Sequence, residues 1–475
     1  MSNDFEKSNN FTSTKYRKVY FEIEKTLNCG AYNVVLLLGL RHTGKTEILK
    51  QFSVNRQGFY HDFKENKLTY EDAEALFDRD EKLLLLDEIG YLDNFDLFMS
   101  SIQDRAASKN KQVVITSSAY GAMKQLGHEY LGAGRSRMIE LFPLSFEEYL
   151  HFSRDTFQYG DDYTPTIADV QNFYRLEGIP KAMKLLIDEH YLPHTFHDIE
   201  VARANKFQDE RDVTLTQEQY TSILDILAYT LNDKLSMKRL KGSQIGKQEF
   251  VSTKGMALSQ SLIGLANKIV NKMTVELEHD IGVEDIAHIV AYLYHSGFLY
   301  VDLEVNEDEK QKTSEAFTEL FKIKTFNQFK THFNKYNFSV ISPLLYTRLL
   351  KNFEFITEKF YDNEGLSGEL YELSLKCEAV QRKGYEGYHT SRKYRLGPIE
   401  VDLWEKHLLL EATIGDKHGN DFYVNKIMEA HPLIRVLTNN PEKCDWDDTR
   451  GYYRIGYPKA LLMISNGRMY NLKIL

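Results

Sequence analysis

Eight residues near the N-terminus, Gly39-Leu40-Arg41-His42-Thr43-Gly44-Lys45-Thr46, set two glycines, a lysine and a hydroxyl at a spacing that suits phosphate. Glycines let backbone amides, including those of Arg41 and Thr43, curl around anionic oxygens, and a helix starting at the loop adds its positive end. Lys45 is placed to reach the outer phosphates and the Thr46 hydroxyl to ligate Mg²⁺. A second element, Leu83-Leu84-Leu85-Leu86-Asp87-Glu88, reads as a strand buried on both faces that ends in two carboxylates. Asp87 is placed to hold Mg²⁺ through water, and Glu88 to polarise an attacking water as general base. The cofactors this pattern calls for are ATP and Mg²⁺.

Two further groups belong to the same chemistry. The run Ile115-Thr116-Ser117-Ser118 ends an apolar strand. A polar side chain there, Ser117 above all, would lie between the other two strand ends and touch the γ-phosphate or the water. Arg135 and Arg137 stand in GAGRSRMIE (132–140). An arginine at that place, with Arg135 as the candidate, could stabilise transition-state charge in cis or from a neighbouring subunit of a homo-oligomer. Either arginine, taken alone, reads equally as one half of a surface salt bridge.

Positioning these residues requires alternating strands and helices. Apolar runs at 34–40, 58–63, 82–89, 112–118 and 138–144 read as parallel strands. Helical stretches Lys45–Phe52, Tyr70–Phe77, Asn94–Ala107 and Ala119–Gln125 separate them, which predicts a doubly wound α/β domain over residues 1–150. The intervening strand 58–63, with Glu88 directly after Asp87, marks the P-loop division that has an added strand beside the nucleotide and a catalytic glutamate.

Downstream, residues 151–210 read as a helical lid broken at Gly178-Ile179-Pro180. Residues 211–310 read as a winged-helix-like segment, ending in a helix over 283–296 that runs through Gly297 into the β wing. Residues 311–475 read as an α/β domain with a two-strand hairpin turning near Glu405–Lys406. The chain of 475 residues is too long for one core.

Composition narrows the classes. The net charge is −10, so no basic groove is visible in bulk. The helix 283–296 has no Lys or Arg, unlike a recognition helix that must meet phosphates. The basic segments 237–248 and 381–395 are the better routes to DNA, and solvated loops are the plain alternative. Three scattered cysteines, Cys29, Cys377 and Cys444, suggest neither zinc nor disulfides. The polar N-terminus and the lack of a long apolar run predict a cytoplasmic protein without membrane spans.

The run SSAYGAMKQLGHEYLGAGRSRMIELFPLSFEEYL (117–150) resembles a family of prokaryotic AAA-type ATPases. Pro143, Leu144, Ser145, Phe146, Glu148 and Tyr149 carry its Pro-Leu-Ser-Phe-x-Glu-Tyr segment, and Glu177-Gly178-Ile179-Pro180 is similar to its lid motif. The resemblance covers residues 20–190. Members of the family often continue into a winged helix and a restriction-endonuclease-like domain. That resemblance implies a nuclease-type site at Glu372, Asp402 and Glu411, with Thr413 where the usual lysine stands. Asp402 and Glu411 on adjacent strands could share a Mg²⁺. A threonine cannot supply the lysine's charge, so the expectation is a degenerate scaffold switched by nucleotide state. An ATP-gated DNA nuclease with a displaced lysine and a nucleotide-binding scaffold without turnover are the alternatives.

Overall fold

The computed structural model describes residues 15–117, 123, 127, 136–185, 297–306, 337–349, 364–383, 390–396, 399–401, 403–405, 408–413, 433–437, 444–447 and 452–471. The chain divides into two compact units, Met1–Phe142 and Pro143–Leu475.

In the first unit the elements run α1 (Lys18–Asn28), β1 (Val34–Gly39), α2 (Lys45–Arg56), β2 (Phe59–Asp62), α3 (Tyr70–Ala75), β3 (Leu83–Asp87), α4 (Phe95–Ser108), β4 (Gln112–Thr116) and β5 (Ser136–Leu141). The five strands form one sheet in the order β2-β3-β4-β1-β5, every pair parallel. β1 and β3 are buried along their whole length. Their alternate residues serve two cores, because successive side chains of a strand point to opposite faces. Val34, Leu36, Leu38, Leu84 and Leu86 pack with Phe98, Met99 and Ile102 of α4. Val35, Leu37, Leu83 and Leu85 pack with Tyr20, Ile23 and Leu27 of α1 and with Ile48, Leu49 and Phe52 of α2. Helices thus cover both faces, the doubly wound α/β architecture expected of a P-loop fold.

The strand order agrees with the sequence reading: β4, whose end was expected between the other two strand ends, lies between β1 and β3, and β2, which comes between the phosphate loop and Asp87 along the chain, lies outside β3 at the sheet edge. α1 was not anticipated. Most of the helix expected at 119–125 lies outside the described residues.

The second unit opens with α5 (Phe146–Ser153), α6 (Ile167–Arg175) and α7 (Lys181–Leu185). Ser145 and Glu148 close a capping box on α5, and Thr166 and Asp169 do the same on α6, satisfying backbone donors that a helix start leaves unpaired. There follow β6 (Leu299–Asn306), β7 (Asn337–Val340), α8 (Pro343–Leu349), α9 (Glu364–Lys383), β8 (Thr390–Leu396), β9 (Ile399–Val401), β10 (Leu403–Glu405), β11 (Leu408–Thr413), β12 (Leu433–Leu437), β13 (Cys444–Asp447), β14 (Tyr452–Gly456) and α10 (Tyr457–Ser465). They build a four-stranded sheet, β7-β6-β8-β9, and a five-stranded one, β10-β11-β12-β14-β13.

The strand expected as a β wing is β6. It pairs in parallel with β8 and antiparallel with β7, so it is an inner strand of a sheet shared with the C-terminal segments. The helix expected at 283–296 lies outside the described residues. The hairpin at Glu405 is present as β10 and β11, antiparallel with Leu403 opposite Leu410 and Glu405 opposite Leu408. Among the described residues no helix is long and apolar enough to cross a membrane.

Candidate nucleotide site

β1 delivers the phosphate loop and α2 closes it. At Gly39 an added Cβ would stand 2.5 Å from the Leu141 carbonyl oxygen, so only glycine lets β5 lie against the strand end. Gly44 has φ +101°, a conformation open to glycine and strained for L side chains. His42 also turns left-handed, with φ 59°. The Thr43 hydroxyl donates to the Leu40 carbonyl at 2.7 Å, stapling the loop across its neck. The buried Lys45 amine donates to the Gly39 and Leu40 carbonyls, each at 2.9 Å, and so is held at the loop itself. The Arg41 amides belong to the same loop, between Leu40 and His42.

β3 delivers the carboxylates. Asp87 is fully buried. Burial pushes its pKa up to about 6, the adjacent Glu88 charge adds to the rise, and hydrogen bonds from Thr46 and Tyr60 with the Lys45 charge oppose it. Tyr60 Oη donates to Asp87 Oδ2 at 3.0 Å, and the Glu88 N–H to Asp87 Oδ1 at 3.1 Å. The Tyr60 phenol is itself raised by burial and by the Asp87 charge, so it stays a donor. Glu88 has φ +53°. A left-handed residue directly after the strand turns the chain sharply.

β4 ends between the other two. Ser117 is buried, and an added Cβ on Gly90 would come within 3.0 Å of its Oγ, which puts Ser117 against the turn that follows Glu88. Thr116 Oγ1 is buried with no hydrogen-bond partner among the described residues. A buried unsatisfied hydroxyl is costly, and a bound anion or water would relieve it.

The structure therefore gathers Gly39, Thr43, Gly44, Lys45, Thr46, Asp87, Glu88 and Ser117 at the C-terminal ends of the inner strands β1, β3 and β4. Arg135 lies outside the described residues. Arg137 on β5 instead pairs with Glu22 of α1 at 2.9 Å, both side chains well exposed. In the second unit, Glu372 lies on α9 with its carboxylate 2.5 Å from the Lys376 amine. Asp402 is outside the described residues. Glu411 and Thr413 lie in β11, which pairs with β12 in parallel, Glu411 opposite Arg435.

Two site residues escaped the sequence reading. Tyr60 gives no motif, since its role comes from β2 lying beside β3. Arg17 precedes α1 and reaches the phosphate loop from 26 residues away.

A family model described as an AAA domain matches residues 31–150. That stretch is an AAA-type ATPase domain, a nucleoside triphosphate hydrolase. No curated protein sequence matches the chain. Among solved structures the chain is similar to the Walker-type ATPase PABY2304 of Pyrococcus abyssi, at 14% identity and a TM-score of 0.35, over 71% of this chain and 96% of that one. It is also similar to the ORC2 protein of Aeropyrum pernix, at 12% identity and 0.34, over 62% and 89%. A third is the RuvB Holliday junction branch migration motor of Thermotoga maritima, at 15% and 0.26, over 60% and 89%.

Proposed function

We propose that the chain binds Mg·ATP at residues 39–46 and hydrolyses it, using the nucleotide cycle as a switch on its C-terminal unit. The observation that carries the reading is the contact of the Thr46 hydroxyl with the fully buried Asp87 carboxylate. Two hard oxygen donors fixed on separate elements fit Mg²⁺, which favours carboxylate and hydroxyl ligands beside substrate phosphates. Mg²⁺, when bound, supplies neutralisation of the charge on the outer phosphates.

The chain's own residues do the rest. Backbone amides of Arg41, Thr43 and Gly44 and the Lys45 amine bind the phosphates. Tyr60 holds the Asp87 carboxylate in one orientation. Glu88 takes a proton from the attacking water, and Ser117 orients that water or the γ-phosphate. Arg135 serves as the finger that meets transition-state charge, from the same chain or a second copy. Phosphate release by the purified protein tests the reading: Lys45→Ala is expected to lose turnover by at least about 100-fold. Equal rates in wild type and Lys45→Ala would end it. Nucleotide-dependent changes in the protease-cleavage pattern that persist in Lys45→Ala would remove the switch.

A second reading, an ATP-gated DNA nuclease with Glu372, Asp402 and Glu411 as metal ligands, is favoured by one observation. Lys376 is a buried lysine beside Glu372, and α9 packs against β11, the strand that carries Glu411. It offers the amine that Thr413 lacks. Cleavage of DNA with Mg²⁺ or Mn²⁺ that vanishes in both Asp402→Ala and Lys376→Met would establish it.

A further inference from the structure

We propose that Arg17 is a positioning residue of the phosphate loop, its guanidinium fixing the Thr43–Gly44 peptide so that the Gly44 N–H faces the bound phosphates. The proposal rests on the ATP reading of residues 39–46 given above. Arg17 is the residue before α1, in extended conformation, and its side chain does not cap that helix. It is buried instead, 8% exposed. One guanidinium nitrogen donates to the Thr43 carbonyl at 2.7 Å and the other to the Phe142 carbonyl at 2.8 Å. The two acceptors stand 26 and 125 residues away along the chain.

The geometry of the peptide gives these bonds a consequence. A trans peptide is planar, with its C=O and N–H pointing in opposite directions, and the described residues contain no cis bond. Holding the Thr43 oxygen on the outside of the loop therefore aims the Gly44 N–H inward. Gly44, at φ +101°, is the point where a flexible backbone could otherwise rotate that plane. Loops that bind phosphate turn amides toward the anion and leave carbonyls facing out. A buried cation is a strong partner for such outward carbonyls, because charge-assisted hydrogen bonds are roughly twice as strong as neutral ones. The second bond uses the planar fork of arginine, which offers two donors at a fixed separation. It ties the loop to the end of β5, whose backbone already meets Gly39 through Leu141.

Arg17→Met keeps the apolar stem and removes the fork, and Arg17→Lys keeps the charge on a single ammonium. Affinity for ATP and ADP is measured by titration calorimetry, turnover by phosphate release and fold by the melting of ligand-free protein. Arg17→Met is expected to raise both dissociation constants and the KM for ATP about tenfold while kcat changes less than about threefold, the pattern of lost uniform binding. Arg17→Lys should fall between. Nucleotide affinity equal to wild type in a folded Arg17→Met overturns the proposal, as does a lowered melting temperature with KM unchanged. Should Arg17→Met fail to fold, Arg17→Lys decides: a raised KM supports the positioning role and a wild-type KM overturns it. A wild-type protein that binds neither nucleotide would overturn the ATP reading itself, a result distinct from equal binding by wild type and variant.

Discussion

Both units bury polar groups, and they use them differently. In the first, the buried Lys45, Asp87, Thr116 and Ser117 converge where parallel strands end, and a hydroxyl there is left without a partner among the described residues. In the second, buried polar groups join distant parts of the chain to one another. The Phe146 N–H donates to Glu378 at 2.6 Å, and the Glu147 N–H to the Ser465 hydroxyl at 3.2 Å. Tyr174 Oη meets Ser374 Oγ at 2.9 Å and Tyr457 Oη at 3.0 Å. Burial raises the Tyr457 phenol well above its ordinary range, with the neighbouring Tyr174 adding to it. Those contacts span 200 to 318 residues and hold the helices after the ATPase sheet to α9 and α10. Buried polarity marks chemistry where groups converge unsaturated and architecture where they saturate each other.

That contrast can be broken most sharply at Glu88. Glu88→Gln should leave ATP binding in place and slow phosphate release by about 100-fold or more, the range of a lost general base. A fast Glu88→Gln would move the catalytic role to another residue at the C-terminal ends of the strands. Tyr174→Phe removes the hydrogen bonds to Ser374 and Tyr457, which keep the Leu370 and Tyr371 carbonyls as partners, and should cost about 0.5–1.5 kcal/mol of stability, read by denaturant unfolding, with the kcat of the folded protein unchanged. A Tyr174→Phe that folds normally yet loses turnover would erase the distinction between the two units. Tyr60→Phe should weaken Mg²⁺ activation only about several-fold, since it removes one hydrogen bond to Asp87 and no ligand. The smallest effect is expected at Arg137→Ala. Its ion pair with Glu22 is exposed, so melting should shift by less than about 1 kcal/mol in equivalent stability. A large loss of turnover would restore Arg137 as a candidate finger.

The legible part of this molecule is the part whose signals are local. Continuous leucine and valine runs placed β1 and β3 to within a residue or two. The place of β4 was legible too, because a polar strand end at Ser117 between the phosphate loop and Asp87 calls for a strand between β1 and β3. Strand β6 looked like a wing because helix, glycine and alternating strand are shared by many folds, and only its pairing with β8 identifies its sheet. α1 does carry a local signal, Tyr20, Ile23 and Leu27 at the spacing of one helix face, but it is one short stripe ahead of the first strand, and its place is fixed only by packing against α2 and the sheet. Tyr60 and Arg17 were invisible because a hydrogen bond across 27 or 125 residues leaves no spacing to read.

Glu88 sits at φ +53°, where a residue with a Cβ is strained by about 1–2 kcal/mol. A glycine there would relieve that strain, so the sequence best suited to a durable fold differs from this one at the residue proposed as the base. Screens of this chain for heat resistance alone are therefore expected to enrich glycine at position 88, and a loss of turnover in the glycine variants is the outcome that the proposed base calls for.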